Sequence, residues 1–417
     1  MIDYFTRLLG IQGFVVVAVT QAKHGLFSHV ILDLKRTQQR FICSECGHVS
    51  NEGISYRERK IQHLSFWQHR CYLRFMQFRL RCPRCGLKVE ALPFIHRYSR
   101  VSVMLGNLVY ELCKVMTNKA VGIFQGLDDG TIKAIDKDKL LEKQANRSLD
   151  GISALGVDEI FVGGKNCLHM ISALDGPRGP ELIYIGKGRK EKNLKKFWKW
   201  FGPKRTKLIK IVVMDMWKGF INSFKANCPG IVILFDKFHV ITHLLDALNK
   251  VRQHELKHLS KKLKGLLTGK KFILLSRLAH VRGNARVALN ELLCASPRLR
   301  KAHLLKESFN HLWSYKSKTC AKRFWRLWKD SLKWTRLEAY QRFVRMVDKH
   351  LDGILSYCDH KLPLGFVEST NLKAKNIIRR AYGYRDDEYM KLKIIQACSS
   401  LRFFQPWTVA FNNSEWA

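Results

Sequence analysis

Hydrophobic positions along the chain fall into three successive rhythms. Short β-branched runs come first, and Phe14–Val19 and His29–Leu34 predict strands, as does Cys71–Leu80 further on. Between 99 and 147 the rhythm turns helical, with Val101, Leu105, Leu108, Val109, Leu112 and Val115 three or four apart. A short helix near Lys119–Gln125, a turn at Leu127-Asp-Asp-Gly130 and a second helix from about Thr131 have the proportions of a helix-turn-helix. From 152 strands return, at Leu155–Phe161, Leu168–Leu174 and Glu181–Gly186, with Asp175–Pro180 as a turn. A basic amphipathic helix, Glu191–Phe201, follows, then strand Leu208–Met214, helix Trp217–Asn227 and strand Ile231–Phe235.

Three consecutive strands and then alternating helix and strand predict a mixed α/β sheet of the ribonuclease-H-like order. The stretch 250–349 breaks that pattern. It favours helix, holds Trp313, Trp325, Trp328 and Trp334, and carries 26 Lys+Arg against 6 Asp+Glu, a net of +20. The strand-and-helix pattern resumes only at Gly365. The expected organisation is therefore a small zinc-binding β module over 1–95 and a helix-turn-helix domain over 96–150. An α/β core follows over 151–249, then an all-α insertion over 250–355, and the core returns over 356–417.

Composition sharpens this. The chain has 417 residues, is 46% hydrophobic and carries a formal net charge of +40. Such a charge calls for a polyanionic partner, double-stranded DNA first, and an anionic membrane surface is the weaker alternative. No apolar run approaches the length of a membrane span and no signal peptide is visible, so a cytoplasmic protein is expected. Most of the twelve cysteines are scattered. The exceptions are two C-x-x-C pairs, Cys43–Cys46 and Cys82–Cys85, separated by 35 residues and each followed by glycine (Gly47, Gly86). Four thiols on two tight turns suit one structural zinc ion, with His48 and His63 as reserve ligands. Lys133, Lys137 and Lys139 on the second helix of the helix-turn-helix are candidate DNA contacts, tempered by Asp136 and Asp138 beside them.

Three acids stand out from this basic background: Asp158 after an apolar run, Asp215 at the end of another, and Glu368 at the start of a basic helix. Each has an ordinary reading in isolation, as a strand-end carboxylate, a helix N-cap or a favourable charge in a first helical turn. Their order is more informative. An Asp on the first strand, an Asp after the fourth and a Glu on a late helix converge on one sheet edge. There they can hold two divalent cations about 3.5–4 Å apart for phosphodiester chemistry. Oxygen ligands favour Mg2+ or Mn2+. Lys373, Lys375, Arg379 and Arg380 share the helix of Glu368 and are candidate phosphate contacts.

At these residues the chain resembles the DDE transposases of bacterial insertion sequences, ISL group. The matching blocks are Gly156-Val-Asp158-Glu-Ile160, then Val212-Val-Met-Asp215-Met-Trp217 with Asp236-Lys-Phe-His239. The third is Gly365-Phe-Val-Glu368-Ser-Thr-Asn371, with Arg379-Arg380 and Ala381–Arg385 beyond it. Ser369 departs from the glycine that family members often have after the glutamate. The resemblance implies Asp158, Asp215 and Glu368 as catalytic metal ligands, with Asp236 and His239 near the site. It also implies binding to the element's terminal inverted repeats, strand cleavage and strand transfer, in a homo-oligomer that holds two DNA ends. The alternatives are a catalytically inactive zinc-containing DNA-binding regulator and a nuclease of the same fold without strand transfer.

Overall fold

The computed structural model describes residues 2–24, 27–96, 99–163, 167–258, 268–360, 362 and 365–403. Residues 164–166, 259–267 and the tail from 404 lie outside them. The chain divides into two compact units, one up to Arg147 with Arg402 and Phe403, the other Ser148–Leu401.

In the first unit helix α1 (Ile2–Leu9) precedes β1 (Phe14–His24), β2 (Phe27–Arg36), β3 (Phe41–Cys43), β4 (Val49–Ser50), β5 (Ile54–Phe66), β6 (His69–Cys82) and β7 (Gly86–Ala91). They form one sheet in the order β1-β2-β6-β7-β3-β4, with β5 paired to β6. Leu32, Ile61, Leu73, Phe75 and Phe94 fill its core. Three helices follow, α2 (Val103–Leu112), α3 (Asn118–Gln125) and α4 (Asp129–Ala145). Their boundaries follow from capping. Thr117 accepts from the Ala120 N–H at 3.2 Å, and Asp128 accepts from the Thr131 N–H at 2.8 Å. These N-caps start both helices slightly earlier than the sequence pattern suggests, and Gly126, at φ 67°, closes α3 in the left-handed region. Leu105, Val109, Val121 and Ile132 form the small core between these helices.

The second unit is built on a five-stranded sheet of β8 (Ala154–Phe161), β9 (Cys167–Ala173), β10 (Glu181–Lys187), β11 (Ile211–Met214) and β12 (Val232–Phe235), in the order β10-β9-β8-β11-β12. The first three strands are antiparallel, while β11 runs parallel to both β8 and β12. Helices α5 (Glu191–Phe201), α6 (Pro203–Thr206) and α7 (Lys218–Asn227) connect the later strands, and α8 (Lys237–His258) leaves β12. The basic region contributes α9 (Lys271–Leu275), α10 (Gly283–Ala295), α11 (Pro297–Phe309), α12 (Lys318–Asp330), α13 (Glu338–Lys349) and α14 (Leu351–Leu355). Helices α15 (Gly365–Arg380) and α16 (Asp387–Ala397) complete the unit.

Residue 250 falls inside the continuous helix α8, and one hydrophobic core joins Leu155, Val157 and Ile171 of the sheet to Leu305, Trp325 and Tyr340 of the helical region. The helices of 250–349 thus share a core with the sheet. Trp313, Trp325 and Trp328 are buried there, whereas Trp334 is 97% exposed. On the opposite sheet face lie α15 and α16, with Val367, Ala374 and Ile394 against β8, β9 and β10. Gly156 makes that approach possible, because a Cβ there would stand 2.8 Å from Val367.

Candidate active site and metal centre

The cysteine pairs come together at the end of the first sheet. Cys43 ends β3 and Cys82 ends β6, and each pair sits on a turn closed by a glycine with positive φ, Gly47 at 72° and Gly86 at 73°. The Gly47 N–H donates to the Cys43 carbonyl at 3.1 Å, and the Cys43 N–H to the His48 carbonyl at 2.8 Å. The four sulfurs of Cys43, Cys46, Cys82 and Cys85 lie within 4.8 Å of one another, and Cys46 Sγ is 3.4 Å from Cys82 Sγ. Tetrahedral zinc with Zn–S bonds of about 2.3 Å requires sulfurs about 3.7 Å apart, so the set fits the ion. Burial works against the Cys82 thiolate, but the Arg84 and Cys85 N–H groups and the Cys46 and Cys43 thiols outweigh it and pull the group down to about 7. Cys85 is pushed up to about 12 by the neighbouring Cys46 and by burial. A second thiolate beside the first needs a cation. His63 is not part of this set. It is buried on β5 with Nδ1 2.8 Å from Ser102 Oγ.

In the second unit the candidate carboxylates gather at one end of the sheet. Asp158 lies near the end of β8 and is only 8% exposed. Its Oδ1 accepts from the Glu159 N–H at 2.7 Å, and its Oδ2 accepts from Asn371 Nδ2 at 2.5 Å. Asn371 is one helical turn beyond Glu368, so this bond brings the face of α15 that carries Glu368 onto β8. Asp215 follows the end of β11, the strand next to β8, and Asp236 follows the end of β12. The Met216 N–H donates to Asp215 Oδ1 at 2.5 Å, and the Phe238 N–H to Asp236 Oδ1 at 2.9 Å. His239 Nδ1 is 3.2 Å from Asp236 Oδ2.

Electrostatics ties these groups together. Burial raises the pKa of Asp158, opposed by the Glu159 N–H, His239 and Asn371, while Asp236 adds to the rise. Glu368 is raised by partial burial and then by the charges of Asp236 and Asp158. His239 is pushed up to about 9, first by its bond to Asp236, against burial, and further by Asp215 and Asp158. Asp236, Asp215 and Asp158 thus act on His239, and Asp236, Asp158 and His239 act on Glu368. Among the described residues only the cysteines bring three or more ligand atoms within 4.8 Å of one another. The carboxylates do not meet that spacing.

Two residues that the sequence reading passed over stand here. Asn371 lay inside a quoted motif without a role, although its i+3 spacing from Glu368 was available. Arg189, in the loop before α5, has no local signature. Its guanidinium lies 4.0 Å from the ring centroid of Trp217, and its Nη1 donates to Glu159 Oε1 at 3.1 Å. The Trp217 indole N–H donates to the Arg189 carbonyl at 3.0 Å. Trp217 is 38% exposed. Of the candidate DNA contacts, Lys373, Lys375, Arg379 and Arg380 are exposed on α15. Lys133 and Lys137 are half-buried on α4, and Lys139 is largely covered and paired with Glu142 at 2.9 Å.

A sheet with its acids at one end, and a separate four-cysteine module, define a class that sequence comparison identifies. Residues 155–394 match the transposase family model of the DDE ISL3 group, and residues 34–86 match the zinc-finger of transposase IS204/IS1001/IS1096/IS1165. The chain belongs to this transposase family. It is 29% identical over 365 residues to the transposase for insertion sequence element IS1001 of Bordetella parapertussis, covering 87% of this chain and 89% of that one. It is also 22% identical over 339 residues, 74% of each chain, to the transposase for insertion sequence element IS1557 of Mycobacterium tuberculosis. No helix among the described residues is long and apolar enough to cross a membrane.

Proposed function

We propose that the protein binds the terminal inverted repeats of an insertion sequence and carries out metal-dependent cleavage and strand transfer at the element's ends. The observation that carries this reading is the bond from Asn371 to Asp158, which links the helix of Glu368 to the strand of Asp158 beside Asp215. The strand order β10-β9-β8-β11-β12, with antiparallel β9 and β10 on one side of β8 and parallel β11 and β12 on the other, supports a ribonuclease-H-like core.

In this reading Asp158, Asp215 and Glu368 are the ligands of two Mg2+ or Mn2+ ions. When bound, such ions activate a water or a 3′-hydroxyl and neutralise charge on the leaving oxygen. The chain's own groups do the rest. Asn371 and the Glu159 N–H orient the Asp158 carboxylate, and the Met216 N–H orients Asp215. His239, bonded to Asp236, holds that carboxylate in place. Lys373, Lys375, Arg379 and Arg380 contact phosphates along α15, and the basic helices of 250–355 add further phosphate contacts. Lys133, Lys137 and Lys139 on α4 contact the recognised end. The region 1–95 holds the structural zinc and 96–150 acts as the helix-turn-helix. The parts 151–249 and 356–417 supply the catalytic core. Two copies acting together would hold the two ends of the element.

The test is cleavage of duplex DNA carrying the element's end in Mg2+. Asp215→Asn abolishes cleavage and leaves DNA binding intact if the reading holds. Undiminished cleavage by Asp215→Asn refutes it.

A further inference from the structure

Strand β5 pairs along its length with β6, which leaves its other edge to the neighbouring segments. At Gln62 that edge is closed by the chain before α2. The Gln62 N–H donates to the Arg100 carbonyl at 3.0 Å, and the Ser102 N–H to the Gln62 carbonyl at 2.9 Å. Upstream of this closure lies a groove of about 580 Å3, bounded by Arg57, Arg59, Lys60, Tyr72, Arg100 and Leu127. Glu58 is the one acid on its wall, so four cations face a single carboxylate.

The side chains of three of the cations, Arg57, Arg59 and Lys60, have partners. The Arg59 guanidinium donates to the Ser99 carbonyl, and Arg57 Nε to Gln77 Oε1 at 3.5 Å. Lys60 Nζ lies 4.7 Å from the Tyr72 ring centroid, and Tyr56 is flanked by Arg57 at 5.0 Å and Arg79 at 3.7 Å. Burial lowers the pKa of Arg59, and the like charge of Arg57 lowers it further. Cations interleaved with aromatic rings and fixed side by side match the repeating charge of a sugar–phosphate backbone.

The groove also has a fixed relation to the turn between α3 and α4. Gln62 Nε2 donates to the Gln125 carbonyl at 2.7 Å in a buried bond. Gly126 packs so closely on Arg70 that a Cβ would stand 2.1 Å from its guanidinium. Leu127 of that turn lines the groove itself. A helix pair that enters a major groove has a phosphate strand passing beside its turn, and a rigid cationic channel there meets that strand.

We propose that the open edge of β5 is a phosphate-tracking surface for double-helical DNA, with the backbone running along Arg57, Lys60 and Arg100 past the α3–α4 turn. The proposal rests on the DNA-transposase reading and gives it a second contact region in which α4 is not the main source of affinity. Contact here is independent of sequence, because guanidinium and ammonium groups on phosphates read charge and spacing.

The experiment uses the full-length, zinc-loaded chain and measures affinity for end-bearing duplex DNA by fluorescence anisotropy across a series of salt concentrations. Each phosphate contact contributes about 0.9 to the slope of log K against log salt. The triple variant Arg57→Gln, Lys60→Gln, Arg100→Gln is expected to lower the slope by about 2–3, with the ratio of end to random DNA unchanged. Zinc content verifies its fold. If the triple variant loses zinc, the single Arg100→Gln variant is read instead, with an expected drop of about 1. An unchanged slope in a zinc-retaining variant overturns the proposal, as does a slope change with duplex RNA but not duplex DNA. Cleavage by the unaltered chain is measured alongside. If it binds DNA through this groove but cannot cleave, the transposase reading fails and the surface stands. If it cleaves and the variant's slope is unchanged, the surface fails and the reading stands.

Discussion

Asn371 donates from its side-chain amide to Asp158 at 2.5 Å, across 213 positions of sequence. This contact joins a strand-borne acid to the helix that carries Glu368, and it is buried deeply enough to orient the carboxylate that it touches. Groups that orient a ligand from behind typically affect metal affinity or activity by about 10–100-fold. Asn371→Ala is accordingly expected to lower cleavage by about that factor at limiting Mg2+, with partial recovery as Mg2+ is raised. A steady-state metal titration checks this. A loss that saturating metal leaves unchanged would show that Asn371 does not act through Asp158.

Arg189 and Trp217 form a second brace. The Trp217 ring stacks on the guanidinium while its N–H holds the Arg189 backbone, and the guanidinium donates to Glu159. The brace links the residue after Asp158 to the loop that begins at Asp215. Trp217→Phe keeps the stack and loses one hydrogen bond, so a small effect of a few-fold in kcat is expected. Trp217→Ala removes both and is expected to cost at least ten-fold in kcat with little change in DNA affinity. Equal kcat for the two variants would argue against the stacking role.

Removal of zinc is expected to act on the first unit alone. Structural zinc is worth about 10 kcal/mol or more to a small metal module. Cys46→Ser, or treatment with a strong chelator, is expected to release zinc and unfold residues 34–86 while the sheet of the second unit keeps its melting transition. Hydrogen exchange read by peptide locates the change. Full protection of β3, β6 and β7 in metal-free protein would contradict the assignment.

Two buried histidines set an acid limit on stability. Burial holds His63 and His303 at about 4, below the ordinary value of 6.5, so the folded state keeps them neutral. Between those values the unfolded chain binds more protons. Their contribution is therefore fully present above pH about 6.5 and is lost as pH falls toward 4, at up to about 3 kcal/mol each. In His63 the neutral Nδ1 faces the Ser102 hydroxyl that caps α2, so protonation disrupts the cap as well. Urea unfolding at pH 7.5 and pH 4.5 is expected to show a smaller acid loss for His63→Gln than for the unaltered chain. An identical loss would remove His63 from the account.

The sheet of the second unit was legible because its strands are apolar runs bounded by turns, with inward residues such as Leu155, Val157, Ile171 and Val212. The cysteine site was legible because its ligands are sequence-local pairs on glycine-closed turns. What escaped notice depends on non-local contacts. Arg189 sits in a short loop, and its partners Glu159 and Trp217 come from other elements. The continuity of α8 through residue 250 was hidden because charge changes there while helical structure does not. The coverage of Lys139 by Glu142 comes from its placement on α4, since a lysine count alone says nothing about which face is solvated. Trp334 went the other way. Tryptophans are ordinarily core, and Trp313, Trp325 and Trp328 are, but Trp334 stands on a turn with φ 67°, outside any helix face.

The most direct measurement is the position of bound metal. Crystals soaked in Mn2+ and measured at its absorption edge are expected to give two anomalous peaks, contacted by Asp158, Asp215 and Glu368, that disappear in Asp215→Asn. Peaks held by other side chains, or none at these carboxylates in crystals of protein that cleaves DNA, would contradict the proposed active site.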